Sequence, residues 1–393
     1  MNLVWQHWDT PDKEMTGKEK INCAFSKQGT DEFAVVICYE GIFVRDHWSL
    51  LTKYPWYTVH LPDLQSQIEC YCEIHSNIKQ DWFRVHPFYS YDERQNSTVN
   101  ILQDKIQIIN KKTNSIREVS KPVVAGWSVS GRVQSIKIEK LPETISDMEK
   151  LLGEKPEKFS REDFLSQGKH ELAQSLIKRF PDRMPICHVG SPLWCIYGML
   201  GFEGLMTLLK LNPEIIKYCC ERFLENGINA VEQHVACGAE LIWIEECLTD
   251  MISPSAFESI NVPYMKKLVG AIRDLGAKSI YYYCGNPWDR LDKIFDIGAD
   301  ALALEEGKKN FEIDIEKIVD TTNGRFVVFG NLDAINILPY ADTETLKNQI
   351  KRQINAGKRN KRRFVMSIGS PVTPETGIER VQLYFEIARK LGS

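Results

Sequence analysis

Neither sign of charge dominates this chain. Its 49 lysines and arginines face 53 aspartates and glutamates, leaving a net charge of −4. That balance supplies no basic face, so nucleic acid is not an expected partner. The sequence shows no run of 18 apolar residues, and its start, MNLVWQHWDT, lacks the basic and apolar regions of a secretory leader. Neither a membrane span nor export is therefore expected, and the cytoplasm is the expected location. A glycine-rich phosphate loop is missing too. Gly126 and Gly131 do not form the dinucleotide fingerprint, and there is no Walker sequence. Cysteine is present without forming a framework: the 11 residues are odd in number and irregularly spaced. In a chain this long they read as reduced thiols, one or two of them available to a metal. Cys70-Tyr71-Cys72 has no matching second pair, which argues against a four-thiolate zinc site. Cys219-Cys220 falls within a helical stretch and reads as core.

Hydrophobic residues make up 43% of the chain, enough for a large core. The pattern changes near residue 180. Before it, residues 33–39 (FAVVICY) form an unbroken apolar run that suits a strand buried on both faces. Residues 100–118 alternate around a Lys-Thr-Asn-Ser turn, which predicts a hairpin, and 123–138 offers further strands. Helices are expected over 142–152 and 161–179, the second capped by Ser160. After residue 180 a strand–helix rhythm sets in. Strands are expected at 184–188, 241–246, 279–284, 301–305, 326–331 and 364–369. Asn212-Pro213, Ser253-Pro254 and Thr373-Pro374 read as helix starts, Gly276 as a stop. The last helix carries Ile378, Val381, Phe385 and Ala388 on one face. Six such strands plus 33–39 predict an α/β fold, a parallel barrel, with a doubly wound sheet as the rival.

In such a barrel the chemistry sits at the C-terminal ends of the strands. Here those ends carry His188, Glu245-Glu246, Cys284-Gly285-Asn286, Glu305-Glu306, Asn331, Asp333 and Ser370. Tyr282 and Cys284 are two apart and share a face. Gly285 leaves the Cys284 sulfur at an open rim, suited to a thiolate ligand or nucleophile, although a free cysteine is more often plain core. Glu246 and Glu305 end apolar strands, where a carboxylate calls for a metal, an acid–base role or a partner such as Lys308. His188 reads either as a ligand or as a hydrogen-bonded core residue. Early aromatics (Trp5, Trp8, Tyr39, Phe43, Trp48) and the later Trp56, Tyr57, Trp82 and Phe83 can wall a pocket or simply fill the core.

Several stretches, in order, resemble the uroporphyrinogen decarboxylase superfamily, and within it the corrinoid-dependent methyltransferases. They are Gly190-Ser191-Pro192-Leu193 with GMLGFEGLM and NPEIIKYCCERF, then CGAELIWIEE, then MISPSAFESINVPYMKKLVGAIRDLGAKSIYYYCGN. IGADALALEE, VVFGNLDAINIL and SPVTPETGIERVQLYFEIARK complete the set over residues 180–390. The resemblance implies a distorted (β/α)8 TIM barrel with an elaborated N-terminal region containing extra β-strands. Residues 1–180 would hold the first barrel strand and inserted hairpins, and 181–393 the main part of one structural domain. It also implies a zinc ion acting as Lewis acid, and cobalamin carried by a separate corrinoid protein.

The family's zinc ligands are a His-x-Cys-Gly strand end and a later cysteine. In this chain Tyr282 stands for the histidine and Ser370 for the later cysteine, so only Cys284 remains. No histidine follows His234 and no cysteine follows Cys284, so the missing ligands must come from carboxylates or an upstream histidine. The expected metal set is Cys284, Glu246 and Glu305, or Cys284 and a glutamate with His188, and the expected catalytic residues are Tyr282, Glu246 and Asp333. The implied reaction takes a methyl group from a small methylated substrate, such as an aromatic methyl ether, to the corrinoid protein. The alternatives are a methylcorrinoid:thiol methyltransferase of the coenzyme M type, a uroporphyrinogen decarboxylase-like enzyme, and a non-catalytic barrel. The decarboxylase branch grips its substrate with an arginine-rich N-terminal segment, whereas residues 1–50 hold only Arg45. A homodimer is compatible with the resemblance.

Overall fold

Parallel strands covered by helices on one face and packed core on the other are apolar on both sides. Eight such strands build this molecule. The computed structural model describes residues 14–125, 140–306 and 311–392. The strands, in chain order, are β1 (Val35–Ile37), β2 (Trp82–Arg84), β3 (Ser97–Ile101), β4 (Lys105–Asn110), β5 (Ile116–Ser120) and β6 (Met184–Gly190). They continue with β7 (Leu241–Cys247), β8 (Lys278–Cys284), β9 (Ala301–Leu304), β10 (Val327–Phe329) and β11 (Phe364–Ile368). One sheet runs β1-β11-β10-β9-β8-β7-β6-β2, with every pairing parallel. With helices outside, this is a (β/α)8 barrel. β3, β4 and β5 form a separate antiparallel sheet between the second and third barrel strands.

The barrel closes between β1 and β2 without a strand ladder. Asp81 takes that role: its backbone N–H donates to Val35 O at 3.0 Å, and its Oδ2 accepts from Val35 N at 2.6 Å. Gln80 Oε1 accepts from Ile37 N at 3.0 Å. Side chains thus satisfy buried backbone donors that a longer strand pair would have satisfied.

The expected strands after residue 180 and the run at 33–39 all form. β2 was not legible, because three residues are too few to show a period. The hairpin at 100–118 is in fact a three-stranded meander. The helix expected over 161–179 is two, Arg161–Ser166 and Glu171–Arg179. Gly168 parts them at φ +74°, and a Cβ there would lie 2.5 Å from the Tyr91 ring. Thr373-Pro374-Glu375 forms a turn, and the last helix starts at Ile378. Asn212 occupies the N-cap of Pro213–Cys237, but its side chain donates to Glu143 O at 3.3 Å instead of capping. Contrary to the sequence expectation, the helix Pro192–Leu211 is long and apolar enough to cross a membrane. It bends at Gly201, where φ is +69°, and packs against Pro213–Cys237 and the ends of β6 and β7. Trp5, Trp8, Lys308 and most of 123–138 lie outside the described residues.

Alternation along the strands splits the core in two. Val36, Trp82, Met184, Trp243, Tyr282, Phe329 and Val365 fill the barrel interior. Phe83, Cys187, Ile244, Tyr281, Tyr283 and Phe364 pack outward beneath the helices. Trp82 meets Trp243 edge-on at 5.9 Å and stacks on Phe329 at 5.6 Å. This apolar plug supports the polar residues above it.

Candidate active site at the barrel mouth

Above the plug, the same alternation turns polar groups inward. β7 sends Trp243, Glu245 and Cys247 to the interior, and β8 sends Tyr282 and Cys284. The register pairs Glu245 with Tyr282 and Cys247 with Cys284. Tyr282 pairs with Ala303 on β9, which puts Glu305, two residues on, beside Cys284. Three neighbouring strand ends therefore carry a row of Cys247, Cys284 and Glu305. The Cys284 thiol donates to Glu305 Oε1 at 2.8 Å. Cys247 faces Cys284, and its hydrogen bond to that sulfur, with burial, holds its thiol well above the ordinary range. Cys247 Sγ also lies 3.8 Å from Glu245 Oε1. Asn331 fixes the backbone at Glu305, its amide donating to Glu305 O at 3.2 Å and Ile313 O at 3.1 Å.

Tyr282 rests against Trp243, ring centres 4.9 Å apart. Burial, reinforced by Cys284 and Glu305, keeps its phenol protonated well above the usual range. It can therefore donate a hydrogen bond but cannot serve as a base near neutral pH. His188 lies between Tyr39 (5.8 Å) and Trp243 (5.6 Å, stacked). Burial, then the charge of Arg84, pushes its pKa well below the ordinary value, so the ring is neutral. Its Nδ1 is buried without a hydrogen-bond partner. Among the described residues, no three His, Cys, Asp or Glu side chains converge with the geometry of a metal site.

Glu246 does not join this row. It points outward, fully buried, and accepts from Ser191 Oγ at 2.9 Å, Asn261 Nδ2 at 2.8 Å and the Tyr281 hydroxyl at 3.2 Å. Ser191 also caps the Pro192–Leu211 helix through Trp194 N, so Glu246 ties that helix to β7. Asp333 is likewise engaged locally. Its Oδ1 accepts from Ile335 N and Asn336 N, both at 2.8 Å, and its Oδ2 from Asn336 Nδ2 at 2.9 Å. Gly285 makes room for Asp250, whose Cγ would lie 2.5 Å from a Cβ there. Sequence reasoning passed over Glu245 and Cys247 as inward groups. Counting by twos from Trp243 would have found both, given that Trp243 points inward.

A cavity of about 930 Å³ opens beside β1 and β2. The helices Glu40–Asp46 and Leu64–Ile78, the segment after β2 and the meander enclose it. Trp48 and Trp56 line it, whereas Phe43, Trp82 and Phe83 are core. Arg84, at the inward end of β2, joins the cavity to the barrel mouth: its charge reaches both Glu245 and His188.

The family model for uroporphyrinogen decarboxylase (URO-D) matches residues 129–391. The chain belongs to the URO-D family. Among its curated URO-D relatives, uroporphyrinogen decarboxylase from Prochlorococcus marinus is 22% identical over 192 residues, 49% of this chain and 53% of that protein. Methylcobamide:CoM methyltransferase MtbA from Methanosarcina acetivorans is 24% identical over 232 residues, 56% and 62% of the two chains. The chain thus spans between half and two thirds of the length of these curated relatives. A methyltransferase from Methanosarcina mazei shares the fold over 97% of this URO-D chain and 100% of its own, with a TM-score of 0.65 at 16% identity.

Proposed function

We propose that the chain is a corrinoid-dependent methyltransferase of the cytoplasm. It would move a methyl group from a small methylated compound, such as an aromatic methyl ether, to a separate corrinoid protein. The observation that carries the reading is the inward row Cys247–Cys284–Glu305, placed where barrels of this kind do their chemistry. The relative MtbA supports methyl transfer, although its name gives the direction from methylcobamide to CoM. The decarboxylase reading is less supported. The only arginine among residues 1–50, Arg45, is clamped to Asp46 at 2.6 Å.

The donors suit zinc in kind: two thiols and a carboxylate side by side, with the neutral His188 ring nearby. Drawn together from their present spacing, which is not yet that of a metal site, Cys284, Cys247 and Glu305 would hold the ion, Cys284 giving up the proton it now donates to Glu305. Glu246, turned outward onto three donors, receives no ligand role. When bound, zinc would polarise the ether oxygen as a Lewis acid. Tyr282 would donate a hydrogen bond to that oxygen and keep its own proton as the methyl group departs. Trp243 and His188 would exclude water beneath the reacting carbon.

The test has two parts. Zinc content is measured in the purified protein and in Cys284→Ala; unchanged zinc in the variant removes the ligand assignment. Methylation of a corrinoid protein by a methoxyaromatic is then compared with methylation of coenzyme M by a methylcorrinoid. Turnover only in the second assay would reverse the direction.

A further inference from the structure

Two cysteines of this chain sit where a bond between them can form. Cys247 and Cys284 share one register position on neighbouring strands, and each is the last residue of its strand. In-register residues on adjacent strands have Cα atoms about 4.8 Å apart, inside the roughly 4.4–6.8 Å that a disulfide spans. Their sulfurs are already joined by a hydrogen bond. Neither is in a disulfide, and both are partly exposed, within reach of a small oxidant. Other neighbouring thiols are placed differently. Cys70 and Cys72, two apart on the helix Leu64–Ile78, do not face each other, nor do the consecutive Cys219 and Cys220 on Pro213–Cys237. Cys187 and Cys237 sense each other's charge but are fully buried in the outer core.

The surroundings supply the remaining parts. The β7–β8 ladder ends at this pair. After Cys247 the backbone turns through Leu248 at φ +65°, and Gly285 follows Cys284. Each Cβ can therefore swing without breaking a strand pairing beyond it. The Cys284 proton already has an acceptor, Glu305 Oε1 at 2.8 Å. The thiolate is the reactive form of sulfur, so Cys284 is the attacking thiol. Cys247, hydrogen-bonded to the Cys284 sulfur, is placed to resolve what forms on it.

We propose that Cys247 and Cys284 are a reversible redox pair: hydrogen peroxide closes them into a disulfide across β7 and β8, and the closed form cannot hold a metal. Cys284 passes its proton to Glu305, and its sulfur attacks one peroxide oxygen. The O–O bond breaks, and the departing hydroxide takes that proton and leaves as water. Cys284 is now a sulfenic acid. The Cys247 sulfur attacks the Cys284 sulfur, the S–O bond breaks, and the second hydroxide leaves as water with the Cys247 proton. The two thiols lose two electrons and one peroxide gains them. A disulfide here removes two of the three donors assigned to zinc above. That half of the proposal rests on the metal reading; closure of the disulfide does not. Inside a reducing compartment a bond of this kind is transient, as redox-sensing disulfides are.

The experiment treats the reduced, metal-free full chain with an equimolar amount of hydrogen peroxide. Remaining thiols are blocked with N-ethylmaleimide, and the peptides are mapped by fragmentation mass spectrometry. A cross-linked peptide joining Cys247 to Cys284, lighter by two hydrogens than its reduced parts, is expected, and dithiothreitol should restore both thiols. In Cys247→Ser no cross-link should form, and Cys284 should climb to the sulfinic acid for want of a resolving thiol. Alkylation of both residues in the oxidised wild type overturns the proposal. So does a Cys284 linked to another cysteine, with Cys38 the nearest rival, since its charge too reaches Tyr282. The wild-type map decides even if the variant does not fold. Zinc at about ten times its Kd should slow closure about ten-fold, by occupying the thiols in proportion. Zinc that stays bound to the cross-linked chain overturns the second half. A reduced chain that closes the disulfide but binds no zinc removes the metal reading alone; one that binds zinc but never closes removes this proposal alone.

Discussion

The inner and outer faces of β7 carry the same chemical group at consecutive positions. Glu245 faces the barrel mouth, with the Cys247 thiol at 3.8 Å and the charge of Arg84 within reach. Glu246 faces the helices and accepts from three donors, Ser191, Asn261 and Tyr281. Burial pushes both up to about 7. A raised pKa alone therefore does not mark a functional carboxylate here. The partners separate the two: outside, a full set of fixed donors belonging to the scaffold; inside, a sulfur and a charge that border a cavity.

The largest effect should come from the inner face. Cys284→Ala is expected to lower methyl transfer by at least about a hundred-fold and to abolish stoichiometric zinc, since even outer partners of ligands cost ten- to a hundred-fold. The matched control is Cys220→Ala, a fully buried thiol on the outer side of the barrel wall. It should lose stability and keep its zinc. Metal analysis of both variants checks the contrast, and equal zinc loss would erase it.

Next comes the outer carboxylate. Glu246→Ala leaves the Ser191, Asn261 and Tyr281 donors buried without their acceptor. An unfolding free energy lower by about 3 kcal/mol is expected, from the cost of stranded buried donors. Glu245→Ala, which loses a weak thiol contact and an attraction to Arg84 but strands no full set of donors, should cost less than half as much. Urea unfolding of the two variants side by side measures the difference.

A third buried carboxyl tests how proton uptake couples to folding. Glu40 has one strong donor, Gln80, and burial holds its pKa at about 7, above its ordinary 4.5. The folded chain thus binds this proton more tightly than the unfolded chain does. The stabilisation is complete below about pH 4.5 and is lost as the pH rises through about 7. Glu40→Gln keeps the shape and removes the titration, so its stability should fall less steeply between pH 5 and 8 than that of the wild type. Parallel slopes in urea midpoints would sink this reading.

These contrasts also explain what the sequence could show. Long apolar strands, Pro-led helices such as Ser253-Pro254 and the strand–helix rhythm made the barrel legible, since each depends on neighbours in the chain. Facing did not. On a strand buried on both sides, Leu241 to Ile244 reads as one apolar run, so nothing local tells Glu245 from Glu246 after it. The register with β8, set across the sheet, decides that Cys247 meets Cys284. Arg84 was invisible for a different reason. Its strand is three residues long and held by the side chains of Gln80 and Asp81 on one edge, so no period announced it.

Asp333 should give the smallest effect. By position it sits after a barrel strand, as Glu305 does, but its carboxylate is spent on the turn that follows. Two backbone N–H groups and the Asn336 amide converge on it, all within 2.9 Å. A side chain that closes its own turn in this way resembles a helix cap, whose loss costs about 1 kcal/mol. Asp333→Ala should therefore lower the unfolding free energy by about that amount, while Asp333→Asn, which preserves the acceptor Oδ1, should cost less. Zinc content and methyl-transfer activity should match the wild type in both. Loss of either in a folded Asp333→Asn variant would move this carboxylate from the scaffold to the site, and with it the boundary drawn between the faces of the barrel wall.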